Sequence, residues 1–107
     1  MKTKTFIGID PGKNGAVACI TIDADNKPKV SIFKMPTNPY KIYLLLRELT
    51  DGTDAYVACE SVRASPQMGV VSAFTFGRGF GWLEGIIDAL CLFEDYPTPK
   101  KWQTTLN

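Results

Sequence analysis

The first third of the chain consists of short apolar runs in which larger hydrophobic residues alternate with small or polar ones. These runs, at residues 6–10, 16–22 and 30–35, predict three β-strands, because strand side chains point to opposite faces at every second residue. The stretches between them, residues 11–15 and 23–28, are rich in glycine, proline, aspartate and asparagine and predict turns. Three consecutive strands with short connections predict an antiparallel meander.

A helical pattern follows the meander. Asn38 and Pro39 predict the helix start, with asparagine as the N-cap and proline in the first helical position, and Asp51 with Gly52 ends the helix. Its apolar face is formed by side chains at helical spacing: Ile42, Leu45, Leu46 and Leu49. Residues 55–60 predict a fourth strand, which we expect to be parallel to an earlier one because a helix precedes it.

The second half of the chain begins with a predicted loop at residues 61–68 and a helix over residues 70–90. Small residues recur at every fourth position along this helix: Gly69, Ala73, Gly77, Gly81, Gly85 and Ala89. Because each interior glycine costs roughly 1 kcal/mol relative to alanine, this row indicates close packing against the sheet or a partner helix. Residues 93–97 predict a short fifth strand at a sheet edge, and Thr98 with Pro99 predicts the start of another helix.

Composition defines the general class of protein. With 107 residues, of which 45% are hydrophobic and 21% charged, the chain predicts one globular domain, and no apolar stretch approaches the length of a membrane span. We therefore expect a soluble, cytoplasmic protein. Cys19, Cys59 and Cys91 lie far apart in apolar surroundings, as expected of buried thiols in a reducing compartment. The sequence contains no histidine, which excludes histidine-dependent nucleophile pairs, so a metal ion would be held by oxygen, as Mg²⁺ or Mn²⁺ is.

Asp10 is the first candidate functional residue. It ends the first predicted strand and shares a strand face with Gly8, which leaves open space beside the carboxylate. A carboxylate at the end of a buried strand is costly unless it is paired, hydrogen-bonded or bound to metal, and this favours a ligand site. The alternative is that Asp10 only begins an Asx-type turn before Pro11 and Gly12.

Glu60 ends the fourth predicted strand in the same way, and this recurrence favours the metal-site interpretation. If the two strands are parallel neighbours about 4.8 Å apart, Asp10 and Glu60 emerge at one sheet edge, where both could reach one cation. The net charge is only +1, so no overall field indicates nucleic acid or membrane. Several cationic side chains lie in or next to turns, where they could contact phosphates or be ordinary surface charges: Lys13, Arg63, Arg78, Lys100 and Lys101.

The predicted order is βββαβαβ followed by the start of a helix, with acids at the ends of the first and fourth strands. This order resembles the ribonuclease H-like superfamily, an α/β fold with a mixed sheet, and in detail the RuvC-type Holliday junction resolvases, in particular their bacteriophage-encoded relatives. The residues that carry the resemblance span nearly the whole chain: Ile7-Gly8-Ile9-Asp10-Pro11-Gly12 with Gly15-Ala16, Glu60, Gln67-Met68-Gly69-Val70, Phe74-Thr75-Phe76-Gly77-Arg78-Gly79, and Thr98-Pro99-Lys100-Lys101-Trp102-Gln103.

The resemblance implies a homodimeric, structure-selective endodeoxyribonuclease that resolves four-way DNA junctions in recombination and repair. Phosphodiester hydrolysis in this family depends on Mg²⁺ or Mn²⁺, and Asp10 and Glu60 match the first two acids of its catalytic, metal-binding carboxylate cluster. The residues expected to contact DNA lie in the loop after Glu60 and in the other cationic segments: Lys13, Arg63, Gln67, Met68, Arg78, Lys100 and Lys101.

The sequence departs from the family pattern at its C-terminus. The family's remaining acids lie on a C-terminal helix, and none of the later acids here matches their positions: Glu84, Asp88, Glu94 or Asp95. We therefore expect a single ribonuclease H-like domain over residues 1–107 that is truncated at its C-terminus, lacks part of its active site and exposes apolar sheet surface. A non-catalytic module that binds DNA junctions is the alternative, and a nucleotide-binding unit of the actin or sugar-kinase type is a more distant one.

Overall fold

The computed structural model of the chain describes residues 3–12, 14–60, 69–90 and 92–95. The elements within these residues follow the predicted order βββαβαβ: β1 (Lys4–Asp10), β2 (Ala16–Ile22), β3 (Pro28–Lys34), α1 (Pro39–Thr50), β4 (Asp54–Cys59), α2 (Val70–Ala89) and β5 (Phe93–Asp95). The predicted loop at residues 61–68 and the predicted helix from Thr98 lie outside the described residues.

The described strands form one five-stranded mixed sheet in the order β3-β2-β1-β4-β5. β1 and β2 pair antiparallel, as do β2 and β3, so the predicted meander is confirmed. β4 pairs parallel with β1, and β5 pairs parallel with β4. β1 therefore lies at the centre of the sheet, between the meander and the strand that follows α1.

The two helices cover one face of the sheet, and the hydrophobic core lies between this face and the helices. Ile7 and Ile9, at alternate positions of β1, point to this face and are almost fully buried. They belong to the same buried cluster as Leu46 of α1 and Leu83 and Ile87 of α2. The predicted alternation along β1 is thus confirmed, because Phe6, Gly8 and Asp10, which alternate with these two isoleucines, are exposed on the other face.

Two strands begin two residues earlier than predicted. β1 begins at Lys4, which lies opposite Ile22 of β2. β3 begins at Pro28, which lies opposite the same residue, Ile22, on the other side. Ile22 is the last residue of β2, which pairs with both strands, so the length of β2 sets where β1 and β3 begin. The hydrophobic pattern alone does not reveal this length.

α1 begins as the sequence predicts. The Asn38 side chain accepts a hydrogen bond from the backbone N–H of Lys41 at 2.9 Å, and Pro39 lies in the first turn. The predicted apolar face is buried in the core or packs against it: Ile42, Leu45, Leu46 and Leu49.

α2 confirms the predicted helix, but the predicted packing of its small-residue row against the sheet is wrong. Gly77, Gly81 and Gly85 are exposed, and a Cβ built on any of them would meet nothing within 4 Å. The helix buries Leu83 and Ile87 on its other side. Because apolar residues occur nearly all around α2, its sequence does not mark the side that faces the sheet. Neither of the described helices is long and apolar enough to cross a membrane.

Candidate functional site

Asp10 and Glu60 lie side by side at one edge of the sheet. β1 and β4 pair in parallel with Ile9 opposite Cys59, and the N–H of Glu60 donates to the carbonyl oxygen of Ile9 at 3.0 Å. This hydrogen bond continues the ladder by one residue, which places Glu60 beside Asp10 on strands about 4.8 Å apart. The fold thus brings together two carboxylates that are nearly half the chain apart in sequence.

Both acids line an open depression of about 370 Å³ on the sheet face that the helices leave uncovered. Its base, which we call the small-residue floor, is formed by residues of three adjacent strands: Gly8, Ala16, Ala18 and Ala58. A Cβ built on Gly8 would meet nothing within 4 Å, so the predicted open space beside Asp10 is present. The depression therefore combines two carboxylates with room for another group to approach the backbone.

A row of larger side chains borders the small-residue floor on the side away from the acids. The rings of Phe6 and Tyr56 are stacked, with 5.4 Å between their centroids and 15° between their planes. Ile20 lies opposite Phe6, and Val30, which is 63% exposed, lies opposite Ile20. This row, Phe6, Tyr56, Ile20 and Val30, agrees with the expectation of an exposed apolar sheet surface.

Neither carboxylate is enclosed by the protein. Asp10 is exposed and Glu60 is half-buried, because both lie toward the sheet face that the helices do not cover. Asp10 is therefore not the costly buried carboxylate that the sequence predicts, although it does lie at the end of β1. The unfavourable term in the absence of a cation is instead the repulsion between two neighbouring negative charges.

Cys59 lies in the core directly before Glu60, and its thiol is not available for chemistry. The pKa of the Cys59 thiol is raised to about 12. Burial is the largest cause, followed by the negative charges of three carboxylates: Glu84, Glu60 and Asp10. Burial likewise raises the pKa of the Cys19 thiol. Both cysteines are buried and free, as predicted, whereas Cys91 lies outside the described residues.

The donor set fits a hard divalent cation only in part. Among the residues that the structure describes, no group of three or more histidine, cysteine, aspartate or glutamate side chains could hold a metal ion. Asp10 and Glu60 supply two carboxylates, the ligand type that Mg²⁺ uses while it keeps several of its waters. The described residues thus provide part of a magnesium or manganese site, and tight binding would require further ligands.

Only one of the residues predicted to contact DNA lies in the described part of the chain. Arg78 is on α2, where its guanidinium carbon lies 6.0 Å from the centroid of the Phe74 ring and 5.2 Å from that of Trp82. Arg78 does not line the depression. The other residues with this prediction lie outside the described ranges: Lys13, Arg63, Gln67, Met68, Lys100 and Lys101.

Reasoning from the sequence missed the alanines of the small-residue floor. Ala16 and Ala18 are opposite Asp10 and Gly8 in the β1–β2 pairing, and Ala58 is opposite Gly8 in the β1–β4 pairing. The sequence does contain an indication of the floor, because Ala16 and Ala18 have the same two-residue spacing as Gly8 and Asp10 on the other side of the turn. This spacing identifies the alanines as neighbours of Asp10 and Gly8 only when the register of the meander is known.

No protein-family model and no curated protein sequence matches this chain. Solved structures do match it, and they define the class of fold. The chain is similar to T. thermophilus RuvC in complex with a Holliday junction substrate, with a TM-score of 0.61 and 14% sequence identity over 90% of this chain and 66% of that chain. It is also similar to a second Thermus thermophilus RuvC structure, with a TM-score of 0.57 and 14% identity over 89% of this chain and 64% of that chain.

These similarities show that the chain has a ribonuclease H-like fold similar to that of RuvC, so the predicted fold class is confirmed. The chain spans just under two thirds of the length of the RuvC structures that it matches. The order of the strands agrees with this fold, and its central strand, β1, is the one that ends in Asp10.

Proposed function

We propose that this chain is part of a metal-dependent, structure-selective endodeoxyribonuclease that resolves four-way DNA junctions. The observation that carries the proposal is the parallel pairing of β1 with β4, which sets Asp10 beside Glu60 at the open edge of a RuvC-like sheet. The similarity to a RuvC structure that holds a Holliday junction substrate supports branched DNA as the substrate. The resemblance in sequence to bacteriophage-encoded resolvases supports the same reaction.

Asp10 and Glu60 would hold Mg²⁺ or Mn²⁺ through their carboxylate oxygens. Such an ion, when bound, acts as a Lewis acid toward a phosphodiester and activates a water molecule. The contribution of the chain itself is to fix the two carboxylates relative to each other. It does so through the β1–β4 ladder, whose last hydrogen bond joins Glu60 to the residue before Asp10.

Two carboxylates alone bind a divalent ion weakly, so we propose that the remaining ligands lie on a helix that packs over the small-residue floor. The floor favours such packing because residues without large side chains allow another backbone to approach closely. The bordering row that includes Phe6 and Val30 offers the helix an apolar surface to cover. On this proposal residues 1–107 form a single domain that lacks its C-terminal helix, and cleavage by these residues alone is slow or absent.

Contacts with DNA are proposed on the residues that the sequence resemblance assigns: Lys13, Arg63, Gln67, Met68, Arg78, Lys100 and Lys101. Cationic side chains among them would neutralise phosphates, so affinity would fall as salt rises. The proposed enzyme acts as a homodimer, in recombination or repair, in the cytoplasm of a bacterial or phage-infected cell.

A non-catalytic module that binds DNA junctions is the second candidate function. One observation favours it, namely that the described residues contain no group of three or more metal ligands. In such a module the carboxylate pair would have no role in binding, so junction affinity would survive Asp10→Asn and Glu60→Gln.

The test measures binding and cleavage of a fluorescent four-way junction by residues 1–107, with a linear duplex of the same sequence as the competitor. Binding is measured by anisotropy in EDTA over a series of salt concentrations, and cleavage is measured on denaturing gels in Mn²⁺. We expect preference for the junction, together with slow cleavage that Asp10→Asn and Glu60→Gln abolish. Asp25→Asn, which removes an exposed acid in the loop between β2 and β3, is the control for loss of one negative charge.

The possible outcomes separate the candidates. Equal affinity for junction and duplex would contradict both functions. Three results together would favour the binding module. The chain would prefer the junction without cleaving it, both acid variants would keep this preference, and a longer chain would also fail to cleave. Rapid Mg²⁺-dependent cleavage that requires Asp10 would show that no further ligands are needed and would overturn that part of the proposal.

A further inference from the structure

We infer that Gly15 is a positioning residue that fixes the place of Asp10 at the sheet edge. Gly15 is buried in the turn that follows β1, and its Cα lies against the main chain of Asp10. A Cβ built on Gly15 would overlap the carbonyl oxygen of Asp10 and would also crowd the carbonyl carbon of Pro11. Any residue other than glycine must therefore displace the backbone of the acid itself.

Two backbone hydrogen bonds hold Gly15 in this place. Its N–H donates to the carbonyl oxygen of Gly12 at 3.1 Å, which closes the turn between β1 and β2. Its carbonyl oxygen accepts from the N–H of Met35 at 3.1 Å, which ties the turn to the residue after β3. Gly15 cannot retreat from Asp10 without straining these bonds, so an added side chain would push on Asp10.

The reason for glycine at position 15 is space and not backbone conformation. Gly12, in the same turn, has a φ of +115°, a value that residues with side chains rarely adopt. The described glycines with positive φ are Gly12 and Gly52, and Gly15 is not one of them. Replacement of Gly15 therefore acts through contact with Asp10, whereas replacement of Gly12 would act through strain in the turn.

The contact between Gly15 and Asp10 matters because Glu60, the other carboxylate of the pair, is held by a different contact. The N–H of Glu60 donates to the carbonyl oxygen of Ile9, so a shift of the Asp10 main chain changes the distance between the two carboxylates. The effect on metal binding rests on the proposed function, in which Asp10 and Glu60 hold a divalent cation. Loss of a group that orients a metal ligand typically lowers metal affinity about 10- to 100-fold, and we expect Gly15→Ala to have an effect of this size.

The test compares Mn²⁺ binding, measured by electron paramagnetic resonance of the free ion, in the wild type, Gly15→Ala and Leu46→Ala. Leu46 is fully buried in α1 and does not line the depression, so Leu46→Ala lowers Tm without touching the site. We expect about 10- to 100-fold weaker binding in Gly15→Ala and wild-type affinity in Leu46→Ala, both measured well below Tm. Wild-type Mn²⁺ affinity in a folded Gly15→Ala protein would overturn the inference.

Two further measurements decide the remaining outcomes. If Gly15→Ala does not fold, the amide resonance of Gly15 is followed in the wild type during a Mg²⁺ titration, and its failure to move with that of Asp10 contradicts the inference. If the wild type binds no Mn²⁺, the proposed metal site fails. The positioning role is then judged from the backbone ¹⁵N and ¹³C shifts of Asp10, which must change in Gly15→Ala and remain unchanged in Leu46→Ala.

Discussion

Asp10→Asn should make the metal-free chain more stable than the wild type and remove the stabilisation that Mg²⁺ gives. The two carboxylates lie at the ends of neighbouring strands, whose backbones are about 4.8 Å apart. For unit charges at about this separation, Coulomb's law gives a repulsion of about 0.9 kcal/mol at the dielectric constant of water and about 3.5 kcal/mol at an effective constant of about 20. Because Asp10 is exposed, we expect a value near the lower limit, about 1 kcal/mol, for the gain in free energy of unfolding.

Mg²⁺ should reverse the order of the two proteins. A ligand that binds only the folded state at ten times its Kd adds about 1.4 kcal/mol to the free energy of unfolding of the wild type. Asn at position 10 removes one of two ligands, so the variant gains little from Mg²⁺. The assay is urea unfolding in EDTA and in MgCl₂ at matched ionic strength, with Asp25→Asn as the control.

The salt dependence gives a second check. In metal-free buffer the advantage of Asp10→Asn should shrink between 0.02 M and 1 M NaCl, since the Debye length falls to about 3 Å at 1 M. Lower stability of Asp10→Asn in EDTA would refute the claim that the pair is repulsive. Equal stabilisation of both proteins by Mg²⁺ would show that the ion binds elsewhere.

Three further predictions concern the described fold. Thr5 is fully buried and its hydroxyl has no hydrogen-bond partner among the described residues. Thr5→Val should therefore raise the free energy of unfolding, measured with urea, by about 1–3 kcal/mol. A lower free energy of unfolding in the variant would show that the hydroxyl has a partner. Gly81→Ala should stabilise the exposed side of α2 by about 1 kcal/mol, and destabilisation would indicate that a partner covers this side. In a Cys91→Ser background, the two remaining thiols, Cys19 and Cys59, should both stay unreactive toward a thiol-specific disulfide reagent at pH 9, because burial raises the pKa of each, that of Cys59 to about 12; reaction of either thiol in the native state at the rate of the unfolded chain would contradict this burial.

The sequence predicts most of the fold because local signals there agree with the tertiary structure. The alternation through Ile7 and Ile9 marks the buried face of β1, and the Asn38 cap marks the start of α1. The adjacency of Asp10 and Glu60 follows from one topological rule, that a strand reached through a helix pairs in parallel with an earlier strand. These features depend on neighbours in sequence or on simple connectivity.

The features that the sequence did not predict depend on which surfaces meet. α2 has apolar residues on several sides, so nothing local distinguishes Leu83, which is buried, from Phe74, which is 68% exposed. The exposure of Asp10 depends on where the helices lie and not on its own strand. The role proposed for Gly15 likewise depends on how closely the turn after β1 folds back on the main chain of Asp10, which composition cannot reveal.

The parallel pairing of β1 with β4 also has a consequence for the order of folding. The meander forms from contacts that are local in sequence, whereas this pairing must close a loop of nearly half the chain and is entropically costly. A partly folded chain that has only the meander therefore contains Asp10 and its turn but no second acid beside it. The carboxylate pair is created by the long-range step, so the ability to bind a divalent ion would report that the central sheet has been completed.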